Sequence, residues 1–248
     1  MSMPPAPSPR IDEQLRAADE ILPELRECSL HLRQLWFDAP CASTRQITKC
    51  LCHRLSPYIQ VFETDPQTMV LAEQAEERVY RQWRTSLNRT LQIEDFMNFV
   101  ATATQGDGAL RTTPVWISSQ DGNEHVAMVS ATEASDRLRT LVDWLNDGTL
   151  GEGTLRAVRA LAMINNAHAF NDANGRLGRA VFNLCLHDHG MRETCFVPLS
   201  TFAVLSHGGY EIRLREAELL NEWEGLLSYH CDVISLYSKL DELPARKE

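Results

Sequence analysis

Two helical segments meet at the stretch His168-Ala-Phe-Asn-Asp-Ala-Asn-Gly-Arg-Leu-Gly-Arg179, and this joint constrains the fold more than any other part of the chain. Before it, residues 154–167 hold no Pro or Gly and place apolar residues at Leu155, Val158, Leu161, Ala162 and Ile164, the spacing of a helix. After it, residues 177–189 read as a second helix, with Val181, Phe182, Leu184, Cys185 and Leu186 as its apolar set. A helix N-terminus presents unpaired N–H groups and about half a positive charge. Cations are disfavoured there, yet Arg176 and Arg179 stand on one face of that helix start. Two guanidiniums at an already positive end call for an anion, and Asn174 and Gly175 allow it to approach the backbone closely. Asp172 beside such a site suits Mg2+, which is often held by one carboxylate plus substrate phosphates. His168, neutral near pH 7, can accept a proton from an attacking hydroxyl. The set reads as phosphoryl or nucleotidyl transfer with a divalent metal.

The stretch closely resembles the signature of the Fic family, His-Pro-Phe-x-Asp/Glu-Gly-Asn-Gly-Arg-x-x-Arg, with Ala169 in place of Pro and Ala173 in place of Gly. The resemblance implies AMP transfer from ATP, with Mg2+, to a Ser, Thr or Tyr hydroxyl of a target protein. It implies His168 as general base, Phe170 as the anchor of the loop and Asp172 as the Mg2+ ligand. Asn174, Gly175 and Arg176 would line an anion hole, and Arg179 would bind the γ-phosphate. Tyr210, after Gly208-Gly209, falls near the position of a nucleotide-facing tyrosine, with core packing as its alternative. Transfer of UMP, GMP or phosphocholine on the same site is the runner-up. A catalytically silent Fic-fold binding module is the reading from a different class.

The 248 residues are 44% hydrophobic with a net charge of −10. An acidic chain whose arginines gather in one motif fits a local phosphate pocket and argues against a nucleic-acid surface. No apolar run reaches the roughly 18 residues of a membrane span. Residues 1–10, rich in Pro and Ser, read as a flexible tail with no signal-peptide core. The expected location is therefore cytoplasmic, or a target cell reached by a route that needs no signal peptide. Seven scattered cysteines fit reduced thiols better than a disulfide frame. Cys50-Leu-Cys52-His53 lacks the usual zinc-ligand spacing.

The expected architecture is mainly α: a Fic-type helical bundle with one β-hairpin flap before the motif loop. Residues 11–105 form an N-terminal helical region, and residues 106–248 the catalytic core with C-terminal helices. Helices are expected over 11–36 with a break at Pro23, 43–55, 67–87 and 93–104. The third should bury Val70, Leu71, Val79, Tyr80 and Trp83. Thr113-Pro-Val-Trp-Ile-Ser118 and Glu124-His-Val-Ala-Met-Val129 are strand-like, with Asp121-Gly122 as a turn signal between them. A lone hairpin is marginally stable, so it must lean on something or serve as a docking edge. The resemblance assigns it to the flap, with Val115, Trp116 and Ile117 aligning a target segment by strand addition. Beyond it, helices are expected over 133–146, 198–205, 211–229 and 231–240. His187 and His189 are expected in solvent at a helix C-terminus.

Many Fic proteins carry an inhibitory helix, Ser/Thr-x-x-x-Glu-Gly/Asn, whose Glu pairs with the second motif arginine. Thr90-x-x-x-Glu94-Asp95 and Ser238-x-x-x-Glu242-Leu243 are near misses. Glu242 is the candidate autoinhibitory residue. The alternatives are a small antitoxin-like inhibitory partner or no inhibition at all.

Overall fold

The amphipathic periods of the sequence become helices in the computed structural model, which describes residues 3–27, 50–55, 66–118 and 125–239. The described elements are α1 (Pro9–Ile21) with a 3-10 turn at Leu22–Glu24, α2 (Pro66–Ser86), α3 (Ile93–Thr104), β1 (Trp116–Ser118), β2 (His125–Ala127), α4 (Ala131–Asp147), α5 (Gly153–Ala167), α6 (Asn174–Asp188), α7 (Leu199–Leu205), α8 (Gly209–Leu219) and α9 (Glu224–Ser238). The chain is mainly helical, as expected. Among the described residues no helix is long and apolar enough to cross a membrane.

Backbone contacts divide the chain into two units, Met1–Met3 with Glu76–Leu184 and Pro4–Ala75 with Cys185–Glu248. This differs from the boundary expected at 105/106. Trp83 of α2 meets Phe99 of α3 edge-on at 5.3 Å and Phe96 at 6.3 Å. Its indole N–H donates to Asp95 O at 2.7 Å. Residues 76–105 also bond to the helices around the motif, through Leu91 to Asn146 of α4 and through Ala103 O to Arg176 of α6.

In the motif-bearing unit, α5 is buried on nearly every side and packs against α4. Ser130 caps α4 by accepting the Glu133 N–H at 3.2 Å, and Gly148 ends it at φ 76°. Asn146 near its end bonds both the N–H and the C=O of Leu91, each at 2.9 Å, and so pins the entrance of α3. Gly178 of α6 lets α5 come close. A Cβ there would lie 2.6 Å from Asn165 Nδ2 and 3.3 Å from Leu161 O. β1 and β2 pair antiparallel in the register Trp116↔Ala127, Ile117↔Val126 and Ser118↔His125. The strands are shorter than expected, and the Asp121-Gly122 turn lies outside the described residues.

The buried stripe of α2 departs from the expectation. It runs through Met69, Val70, Glu73, Glu76, Tyr80 and Trp83, while Leu71 is 65% exposed and Val79 half-buried. Two carboxylates occupy positions where the period calls for apolar side chains. Each has a partner: Glu73 accepts the Thr201 hydroxyl, and Glu76 takes Arg179.

In the second unit α1 packs against α9. The helix starts at Pro9 instead of residue 11, because Pro is well suited to a first helical turn. Pro4 is buried, so the expected tail 1–10 is partly structured. The break between the last two helices falls at Asn221, which adopts a left-handed φ of 57°, and not at His230. His230 sits inside α9 with no exposed surface. His187 is also buried, its Nε2 at 3.0 Å from the carbonyls of Arg192 and Cys195, which corrects the solvated position expected for it. The expected helix 43–55 lies mostly outside the described residues.

Candidate active site at the start of α6

His168 ends α5 in a left-handed conformation, φ 48°, with its N–H still donating to Ile164 O at 3.1 Å. The chain therefore turns sharply at the imidazole, and the loop 169–173 leads into α6. Phe170 is 1% exposed, and its backbone bridges Leu110. Asn174 clamps it. Its Oδ1 accepts the Phe170 N–H at 3.0 Å and its Nδ2 donates to Phe170 O at 2.8 Å. Both ends of the amide bond Phe170, so the Asn174 side chain is fixed in place as part of the loop. Ala173 holds φ 65°, a geometry made for glycine that costs an alanine about 1 kcal/mol or more.

The second helix begins at Asn174, three residues before the sequence expectation. Asn174, Gly175 and Arg176 therefore form its first turn, where N–H groups have no intrahelical acceptor. Asp172 accepts the Ala173 N–H and pairs with Arg176 Nη2 at 2.9 Å. Its carboxyl is held below the ordinary value first by that backbone bond and then by the Arg176 charge. It is an ionised, exposed carboxylate. Arg176 is tethered from its other edge, Nη1 donating to Ala103 O at 2.6 Å at the end of α3. His168 Nδ1 lies 3.4 Å from Asn165 O, which favours the proton on Nδ1 and leaves Nε2 as the basic nitrogen.

Arg179 is committed. Its Nε donates to Glu76 Oε1 at 2.7 Å and its Nη2 to Oε2 at 2.8 Å, a bidentate pair. The Glu76 side chain is 6% exposed and that of Arg179 21%. A guanidinium filled on this edge has less capacity for a phosphate. Sequence reasoning missed Glu76 because Ala72 and Glu77 stand where the inhibitory pattern requires Ser/Thr and Gly/Asn. The available signal was a carboxylate on the buried stripe of α2. Glu242 lies outside the described residues.

The loop and α6 bring together His168, Phe170, Asp172, Asn174, Gly175, Arg176 and Arg179. The paired strands belong to the same unit; Val115 is half-buried and Trp116 57% exposed. Tyr210 belongs to the other unit. Its ring lies 5.9 Å from that of Tyr229 and 6.0 Å from that of His230, and its N–H donates to Ser206 Oγ at 3.1 Å. Among the described residues no cluster of three or more His, Cys, Asp or Glu could hold a metal ion; His53 instead pairs with Glu216 at 3.3 Å. Asp172 alone nevertheless fits Mg2+ carried on phosphates, since that ion takes one protein carboxylate with the substrate supplying other ligands.

A helical unit with a His–Asp–Arg–Arg loop at a helix N-terminus belongs to the class of Fic folds. The Fic/DOC family model matches residues 80–186, the span that carries this loop. Members of this family transfer nucleotides or other groups onto proteins. Solved structures show the same fold. A Fic family protein from Desulfovibrio desulfuricans G20 is 15% identical with a TM-score of 0.66, over 98% of this chain and 76% of that one. A single-substitution variant of a Fic-1 fragment from C. elegans is 19% identical with a TM-score of 0.55, over 94% and 71%. IbpAFic2 covalently tethered to Cdc42 is 16% identical with a TM-score of 0.50, over 94% and 71%. No curated protein sequence matches the chain.

Proposed function

We propose that this chain is a Mg2+-dependent adenylyltransferase that moves AMP from ATP onto a Ser, Thr or Tyr hydroxyl of a protein, and that Glu76 restrains it. The observation that carries the reading is the loop 168–179: a base, a carboxylate and two arginines at one helix N-terminus, the second arginine capped by a carboxylate of the same chain. A protein acceptor is supported by the similar structure tethered to Cdc42.

The acceptor oxygen attacks the α-phosphorus of ATP. The bond from that phosphorus to the oxygen bridging to the β-phosphate breaks, and pyrophosphate leaves. His168 takes the hydroxyl proton on Nε2. Asp172 would hold Mg2+, whose charge offsets that of the phosphates. The first N–H groups of α6 and the Arg176 guanidinium stabilise negative charge developing on the transferred group. Arg179 joins them when it leaves Glu76. The paired strands β1 and β2 supply a backbone edge on which the acceptor segment aligns.

The test is incubation of the purified chain, and of Glu76→Ala, with Mg2+, a cell lysate and each nucleoside triphosphate labelled on the α-phosphate. Label from ATP that vanishes in His168→Ala supports AMP transfer. Label from UTP or GTP alone redirects the nucleotide. No label from any nucleotide, together with no transfer from labelled CDP-choline, leaves the silent binding module as the better reading.

A further inference from the structure

Arg111 is 3% exposed and, among the described residues, pairs with no carboxylate, an unusual state for a cation. Its guanidinium donates to three main-chain carbonyls: Nε to His168 O at 2.6 Å, Nη1 to Thr113 O at 2.9 Å and Nη2 to Val129 O. Its own N–H donates to Ala169 O at 2.9 Å, and the neighbouring Leu110 forms an antiparallel bridge with Phe170. Thr113 precedes β1 and Val129 follows β2. The strands close above them through the Met128 N–H to Val115 O bond at 3.0 Å. One planar fork therefore gathers the carbonyl of the proposed base residue and both feet of the two-stranded ribbon.

We propose that Arg111 is a positioning residue that fixes the ribbon and the His168 main chain in one frame, so that an acceptor aligned on the ribbon meets the imidazole at a set distance. The proposal rests on the adenylyltransferase reading and adds to it the element that couples acceptor docking to proton removal. The geometry favours positioning over a mere staple. A staple joins two elements at any convenient place; here one donor is aimed at the carbonyl of the residue bearing the base, where the helix has just ended in a left-handed turn. Lysine cannot replace it, because an ammonium on a flexible stem lacks the planar fork that reaches three carbonyls at once. Small displacements of a reacting pair weigh heavily on rate, about a hundredfold for 1 Å.

The experiment compares Arg111→Lys with Arg111 intact, both in the Glu76→Ala background. It follows AMP transfer to the acceptor protein and the slower hydrolysis of ATP by water. Water needs no alignment on the ribbon. The expected result is a fall of about tenfold or more in the ratio of transfer to hydrolysis, with the KM for ATP unchanged. Equal loss of both reactions, or an unimpaired ratio, overturns the proposal. If neither chain transfers any group, the adenylyltransferase reading fails and hydrogen exchange decides the positioning role. Amides at 113–118, 125–130 and 168–170 should then exchange faster together in Arg111→Lys while α4 and α5 keep their protection. Faster exchange confined to one of these segments, or spread over both helices, overturns the coupling.

Discussion

Glu76 holds Arg179 through two parallel hydrogen bonds of 2.7 and 2.8 Å, and the two residues lie 103 positions apart in the sequence. A bidentate carboxylate competes with any anion for the same guanidinium edge. Glu76→Ala keeps a strong helix former in α2 and frees that edge. Labelling of the acceptor, or of the chain itself, should rise by about tenfold or more. Glu242→Gly made in parallel separates the two candidates for inhibition. A rise in that variant alone would move the restraint from α2 to the C-terminal segment.

His168→Ala and Asp172→Asn should both stop transfer while changing the midpoint of thermal unfolding little, because both side chains have water at hand. Asp172→Asn should regain part of its rate at raised Mg2+, and His168→Ala should not. The Asp172 carboxyl is held below 3.8, so it is ionised wherever the chain is folded near neutrality. Loss of rate between pH 8 and pH 6 then belongs to another group, and the Mg2+ response of the wild type at pH 6 checks this.

Gly178→Ala should destabilise the chain. The helix gains about 1 kcal/mol of propensity, but a Cβ placed 2.6 Å from Asn165 Nδ2 overpacks the contact of α5 with α6 by about 2 kcal/mol. Asn165 cannot swing away without giving up its 2.8 Å bond to Leu161 O. Urea unfolding should show a net loss of about 1 kcal/mol; a variant as stable as the wild type would mean that the two helices part readily.

His230 is buried against Tyr210 and Tyr229, and the Arg213 guanidinium lies over the Tyr229 ring at 5.3 Å. Burial pushes its imidazole down to about 4 from 6.5, even though its Nδ1 bonds Leu226 O at 2.8 Å. The folded state therefore binds fewer protons than the unfolded one between these values. The stability due to neutral His230 is complete above pH 6.5 and is lost as the pH falls towards 4. At 1.36 kcal/mol per unit the interval amounts to about 3 kcal/mol. The difference in unfolding free energy between wild type and His230→Phe should shrink by about that much from pH 7 to pH 4. A constant difference would refute the assignment.

The sequence made the helices legible where propensity and period agree. The expected and observed bounds of α3 coincide, helped by the bond of the Gln92 N–H to Asp95 Oδ2 at 2.8 Å. The loop 168–179 was legible because its residue types have few other reasons to stand together. Glu76 was not, since nothing local marks a carboxylate whose partner lies in a distant helix. Nor was the turn at Asn221, which no Gly or Pro announces, or the burial of His187, which follows from a chain reversal that brings the Arg192 and Cys195 carbonyls to its ring. The strand pattern gave the register-bearing segments but overstated their length, because the feet of the ribbon bond to Arg111 and not to each other.

Asn174 spends both ends of its amide on Phe170. The curve of the loop is therefore held by bonds internal to the chain, with no ligand required. Its conformational entropy is lost when the protein folds, so a nucleotide of the proposed kind would meet a rim already ordered and would order little of the backbone. On that proposal, discrimination among nucleotides would come from walls outside this rim, because a surface that does not reshape itself treats every triphosphate tail alike.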